Sequence, residues 1–196
     1  MKTIHKLLLG LIMSLTSASA SFAWDQTAPL PLPSCSIQTP FGMPAAQGVQ
    51  PICRDAYLVG YDSAAKLPRF VIYTLTPDHA LGCIARSNAF VADKSIAGGA
   101  TPNDYAGTGY DKGHMAPDGD LSFNQQVEYE SFLMTNMSPQ AGSLNRGIWK
   151  LLETAVRGWS VQHNNSFTIY VGGFYNAQDK KIGNGVVVPH AFYKIV

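Results

Sequence analysis

The chain has 196 residues, of which 46% are hydrophobic and 14% charged, with 14 Lys and Arg against 13 Asp and Glu. A formal charge of +1 gives no general basic footprint, which argues against a protein that coats nucleic acid. Any affinity for phosphate must then come from cations clustered locally.

The chain opens with a pattern that belongs to export rather than to a fold. Lys2 and Lys6 form a positive stretch, Leu7 to Leu15 is apolar, and Ala18-Ser19-Ala20 or Ser21-Phe22-Ala23 supplies small residues. This is the pattern of a secretory signal over residues 1–23, cleaved after Ala20 or Ala23. Its apolar core is shorter than the ~20 residues a membrane span needs, so no stable membrane association is expected after cleavage. Roughly 175 residues remain, enough for one domain with a real core. Without Lys2 and Lys6, 12 basic residues stand against 13 acidic ones, a net of about −1.

From Trp24 to Gln50 the chain is rich in Pro, Ser and Gln, and is expected to be an extended arm preceding a domain over residues 51–196. Export makes disulfides plausible. Cys35 and Cys53 flank a Pro/Gly/Gln-rich stretch and are the candidate pair, worth ~3 kcal/mol in the chain-entropy model. Cys83 lies in an apolar run and is expected to be a buried free thiol. There is no Cys-x-x-Cys, which argues against a zinc site built on cysteine.

Strands are expected at 56–61 and 70–75, where Val71, Ile72 and Tyr73 suit a buried position, and a further one at 81–85. Residues 95–110 are dominated by Gly, Ala, Thr, Pro and Asn and predict a long ordered loop. A short strand follows at 109–115, then a short helix at 124–132 capped by Asn124. A β-type run at 132–137 is closed by Ser138-Pro139. The strongest helical signal begins at Ile148, with Leu151, Leu152, Ala155, Val156 and Trp159 at helical spacing. Two last strands are expected at 167–172 and 186–195. The fold class is therefore α+β, with a mixed or antiparallel sheet and one long amphipathic helix.

The chemistry concentrates in two places, Asp111-Lys112-Gly113-His114-Met115 and Leu144-Asn145-Arg146-Gly147-Ile148-Trp149 with Glu153. A histidine can accept a proton near neutral pH. His114 has Gly113 beside it and Asp111 and Lys112 next door, whereas His79, His163 and His190 have the setting of structural residues. Asn145 offers an amide oxygen to a magnesium ion, and equally could cap the helix it precedes, unless Ser143 does so. Glu153 lies about two turns further on, ~12 Å along the axis, too far to share a first coordination shell but able to hold a metal-bound water. Arg146, Lys150 and Arg157 fall on one helix face, either a solvated face or a stripe that follows phosphates.

Three segments together, Asp111 to Pro117, Thr135 to Gln140, and Leu144 to Trp149 with Glu153, strongly resemble the DNA/RNA non-specific endonucleases, whose site is the ββα-metal or His-Me finger. The run Pro68 to Leu75 and the pattern Arg86…Phe90…Asp93 resemble the same family, so the likeness extends over nearly all of the chain after residue 23. It implies a metal-dependent endonuclease that hydrolyses phosphodiester bonds of DNA and RNA. His114 is implied as general base and Asn145 as the direct protein ligand of Mg²⁺, for which Mn²⁺ could substitute. Glu153 is implied to hold a metal water, Arg86 to meet the phosphate, and Asn136 to support the site. Lys112, Arg146 and Lys150 are further candidates for phosphate contact. The family usually has arginine where this chain has Lys112, which keeps the charge without the two-pronged fork. Val188 to Ile195 resembles a late family strand, and the sequence stops where relatives continue, so a domain short at its C-terminus is expected. Two rivals are a weakened nucleic-acid-binding relative and a secreted structural protein carrying the motif by accident. Export implies a periplasmic or extracellular location.

Overall fold

Tyr57, Val59 and Tyr61 alternate with Leu58 and Gly60, and Val71 and Tyr73 alternate with Phe70 and Ile72, so two neighbouring stretches can each bury both faces. The computed structural model describes residues 39–196, and both stretches are strands in it. In chain order the strands are β1 (Val49–Cys53), β2 (Tyr57–Asp62), β3 (Leu67–Leu75), β4 (Tyr110–His114) and β5 (Met137–Ala141). They continue with β6 (Phe167–Phe174), β7 (Lys181–Ile182), β8 (Val186–Val187) and β9 (Ala191–Ile195). The helices are α1 (Pro77–Ala80), α2 (Asp118–Leu121), α3 (Gln125–Ser131) and α4 (Lys150–His163).

Five strands form one sheet in the order β1-β2-β3-β6-β9, each antiparallel to its neighbour. One face carries Val59, Tyr73, Leu75, Ile169 and Val171, which pack with Met115, Leu121, Trp149 and Val156 into the main core. The other carries Leu58, Phe70 and Ile72, covered by Met43 and Ala46 from the segment before β1. β4 and β5 make a separate two-stranded ribbon in which His114 faces Met137 and Lys112 faces Pro139. The chain leaves the ribbon at Ala141 and passes through Leu144–Trp149, a π-helical stretch, directly into α4. Ribbon and helix are thus a ββα unit, and the fold is α+β as expected.

Several elements differ from expectation, each for a physical reason. No strand forms at 81–85: Leu81, Cys83 and Ile84 are exposed, and the run has no partner strand. Cys83 is a free thiol but an exposed one, not a buried one. Most of the run at 132–137 is a 3₁₀ turn at Met134–Asn136, and the strand starts only at Met137 and runs through the Ser138-Pro139 that was expected to end it. Proline is tolerated there because the ribbon has only two strands, so every strand is an edge. The expected strand at 186–195 is split in two at Pro189, and Val188 and His190 instead donate to the backbone oxygens of Lys180 and Phe174. β1 starts at Val49, inside the stretch read as an arm.

The apolar face of α4 is also rotated. Ile148 and Leu151 are each 65% exposed and Trp159 45%, while Trp149, Val156 and Ser160 are buried. The π-helical stretch, whose Gly147 departs from helical angles (φ −102, ψ −115), shifts the register that a uniform 3.6-residue period assumes. Other readings hold. Asn124 caps α3, accepting from the amides of Gln126 and Val127, and residues 95–109 are a loop with one 3₁₀ turn, Tyr110 opening β4. Cys53 is disulfide-bonded, and Cys35, like the signal stretch, lies outside the described residues.

Candidate active site

A cavity of about 430 Å³ opens where β4 meets the start of α4. Five cations line it, Arg86, Lys112, Arg146, Lys150 and Arg157, against two carboxylates, Asp118 and Glu153. The near-neutral chain therefore gathers positive charge locally, as phosphate binding requires.

His114 closes β4 and lines this cavity. Gly113 beside it leaves room for the Gln140 side chain: a Cβ there would collide with its amide. His114 is 8% exposed, its ring edge-on to Phe132 at 4.9 Å and tilted against Phe90 at 5.6 Å. Its Nε2 is buried without a hydrogen-bond partner. Burial first, and the Arg86 charge second, push its pKa down to about 3. The ring is neutral at physiological pH and keeps a lone pair for a proton.

Arg86 spans from Asn88, accepting at 2.7 Å, to Asp118 at 3.1 Å, with its guanidinium over the Phe132 ring at 4.8 Å. Lys112 is held differently, its ammonium 4.8 Å above the Phe90 ring. Asp118 has one oxygen on Arg86 and the other, Oδ1, buried without a partner. Burial raises its pKa against the pull of Arg86.

Across the cavity, Asn145 does not cap the helix, and neither does Ser143 through its side chain. The Asn145 amide nitrogen donates to Asp111 at 3.0 Å, and its side chain lines the cavity with the amide oxygen left to accept. Asp111 also pairs with Arg146 at 3.1 Å. Glu153 lines the same cavity and pairs with Lys194 at 3.7 Å. Burial raises its pKa to about 7, with Lys194 opposing the shift.

Among the described residues, no three His, Cys, Asp or Glu side chains are grouped to enclose a metal ion. What the cavity does present is the amide oxygen of Asn145 and the carboxylates of Glu153 and Asp118. That donor set fits a hard divalent ion that keeps most of its water.

Asn136 stands apart from the cavity. It is fully buried, its Oδ1 accepting from the Ala116 amide at 2.9 Å and its Nδ2 donating to Ala116 and Ser131 oxygens at 2.8 Å each. It clamps the backbone just past His114. His79 stacks on Phe123 at 3.7 Å, and His190 pairs with Asp179 at 2.9 Å, both away from the cavity. Sequence reasoning missed Asp111 as the orienting partner of Asn145, Asp118 as that of Arg86, and Lys194 altogether. Adjacency to the motifs was available for the first two; nothing local marks Lys194.

Residues 38–196 match the family described as DNA/RNA non-specific endonuclease, and the chain belongs to it. Among its relatives, a nuclease of Nostoc sp. is 31% identical over 84% of this chain and 62% of its own length. The mitochondrial nuclease EXOG of Mus musculus is 33% identical over 60% of this chain and 32% of its own. The chain thus spans less than two thirds of the length of either relative. In the crystal structure of the EndoG/EndoGI complex, solved to explain EndoG inhibition, one chain superposes with a TM-score of 0.72 at 29% identity. The match covers 82% of this chain and 71% of that one.

Proposed function

We propose that this protein is an exported, Mg²⁺-dependent endonuclease that hydrolyses DNA and RNA with little sequence preference. The observation that carries the reading is a neutral, unpartnered His114 facing Asn145 and Glu153 across a cavity of net positive charge. Arg86 and Lys112, on the His114 side, receive the scissile phosphate. Arg146 and Lys150 hold its neighbours along the strand. His114 takes a proton from the attacking water as general base. The guanidinium of Arg86, already oriented by Asn88 and Asp118, stabilises the charge gathering on phosphorus oxygens.

Asn145 would hold the ion directly through its amide oxygen and Glu153 through a bound water, and Mn²⁺ would substitute. The ion, when bound, supplies Lewis-acid stabilisation of the phosphate and of the leaving 3′-oxygen. The products are 5′-phosphate and 3′-hydroxyl ends. Because the lining groups address phosphate and not base edges, base identity need not matter. Export rests on the pattern of residues 1–23 and carries the protein to the periplasm or beyond.

Incubation of supercoiled plasmid and of single-stranded RNA with the purified protein tests this. Degradation of both with Mg²⁺, abolished by EDTA, is expected. Binding without cleavage would leave a nucleic-acid-binding relative instead.

A further inference from the structure

Val59, Val71, Val171 and Lys194 are successive partners in one row across the five-stranded sheet. The three valines are fully buried in the core beneath α4. The lysine that ends the row has a side chain only 1% exposed. An ammonium in such a place is costly unless it is paired, and an apolar residue would fill the position at lower cost. Packing alone therefore does not account for a lysine here.

Its surroundings do. The Lys194 ammonium lies 3.7 Å from Oε1 of Glu153 and 3.5 Å from the Tyr73 hydroxyl, above the Trp149 ring at 5.2 Å. Tyr73 donates to one oxygen of Asp120 at 2.8 Å, and Arg157 donates to the other at 2.6 Å. Two cations and two carboxylates thus form a buried layer, of which Glu153 and Arg157 reach the cavity. Lys194 and Asp120 stay beneath.

We propose that Lys194 is a positioning residue: from under the cavity it holds Glu153 by one carboxylate oxygen and leaves the other directed at the water shell of a divalent cation. The proposal rests on the reading of Glu153 as a group that binds metal through water. Glu153 sits on α4 among Lys150 and Arg157, and a carboxylate free to turn toward either would lose the orientation that an outer-shell contact needs. An ammonium fixed by the sheet, and caged by Trp149 and Tyr73, removes that freedom.

Mn²⁺ binding to the metal-free protein, followed by electron paramagnetic resonance without nucleic acid, tests this. Lys194→Met is expected to raise the Mn²⁺ dissociation constant about ten- to a hundredfold, the loss usual for an outer-shell partner. Lys194→Arg is expected to recover most of it. In a Glu153→Gln background, Lys194→Met should add nothing further, since its effect runs through Glu153. Unchanged affinity in folded Lys194→Met protein, or an equal loss in both backgrounds, overturns the proposal. If Glu153→Gln alone leaves Mn²⁺ affinity unaltered, the metal role of Glu153 fails, and that of Lys194 with it. If Glu153→Gln weakens binding and Lys194→Met does not, only the Lys194 proposal fails. Near-ultraviolet circular dichroism establishes folding, and Lys194→Gln carries the same expectations should Lys194→Met not fold.

Discussion

In the five-stranded sheet, inward side chains such as Val59, Val71 and Val171 are wholly buried against apolar neighbours. In the β4–β5–α4 unit and the short helix α2 that follows β4, buried positions carry His114, Asp118, Ser138 and Gln140. Among the described residues, buried side-chain nitrogens and oxygens without a partner occur on those four and on Trp149, Arg54 and Tyr105, and on no strand of the large sheet. Each such group costs about 1–3 kcal/mol when left unsatisfied. The sheet supplies the stability that lets the ββα unit hold polar groups unpaired. That contrast can be tested by substitutions that should move activity in one region and stability in the other.

The largest expected effect is on chemistry. His114→Ala should lower turnover by at least ~10²–10⁴, as for loss of a general base, without unfolding the protein, because the imidazole has no hydrogen-bond partner to strand. Plasmid cleavage rates at saturating Mg²⁺, alongside a melting curve, measure both; near-wild-type cleavage by a folded variant would sink the assignment.

The sheet should behave in the opposite way. Ile72→Ala, at a fully buried position on the outer face, should cost ~2–5 kcal/mol in urea unfolding while leaving kcat and KM of the folded fraction unchanged. Gln140→Met, which replaces a buried amide with neither end paired, should be neutral or stabilising. A loss comparable to that of Ile72→Ala would erase the distinction between the two regions.

Lys112 offers a finer division within the ββα unit. Lys112→Ala should cost on the order of 2–4 kcal/mol of transition-state stabilisation, mainly in kcat, and Lys112→Arg should preserve or raise kcat/KM. Steady-state kinetics on a short duplex at fixed salt separate this from a purely positioning role, which would appear in KM.

A last effect, on stability alone, is its pH dependence. His114 has its pKa lowered from 6.5 to about 3, so the unfolded chain binds the proton more readily. Its contribution to stability is complete above pH 6.5 and is lost as pH falls toward 3. The stability advantage of wild type over His114→Asn should therefore shrink between pH 7.5 and pH 4 in urea titrations with EDTA. Glu153, raised to about 7, works in the opposite sense, its contribution present below pH 4.5 and lost through pH 7. A difference between variants is thus the proper readout. A constant or growing advantage at low pH would contradict the burial of His114.

Much of this was legible along the chain because its cause is local. Alternation at 57–61 and 70–75 marks strands that bury both faces, and Asn124 marks a cap because an amide oxygen answers the free amides of the next turn. The motif around His114 and the Asn145–Glu153 spacing name the cavity's principal groups because each lies within a few residues of its own signal. The run at 81–85 misled because apolar character makes a strand only where a partner edge is at hand, and none is. The apolar face of α4 was misplaced because a π-helical stretch changes the angle per residue, and no composition signal reports that change.

What only the tertiary structure decided is which side chains restrain which. Asp111 orients the Asn145 amide, Asp118 holds Arg86, and Asn136 grips the backbone beyond His114 instead of entering the cavity. Lys194 reaches Glu153 only because β9 pairs with β6, setting the lysine at the end of a valine row beneath α4. The sequence by itself determined the paired strands at 57–62 and 67–75, the Asn124 cap and the chemical groups of the cavity, since those depend on residue type and short-range spacing. The direction of each group, the neutrality of His114 and the partner of Glu153 depend on burial and on contacts between distant segments, and these exist only once the chain is folded.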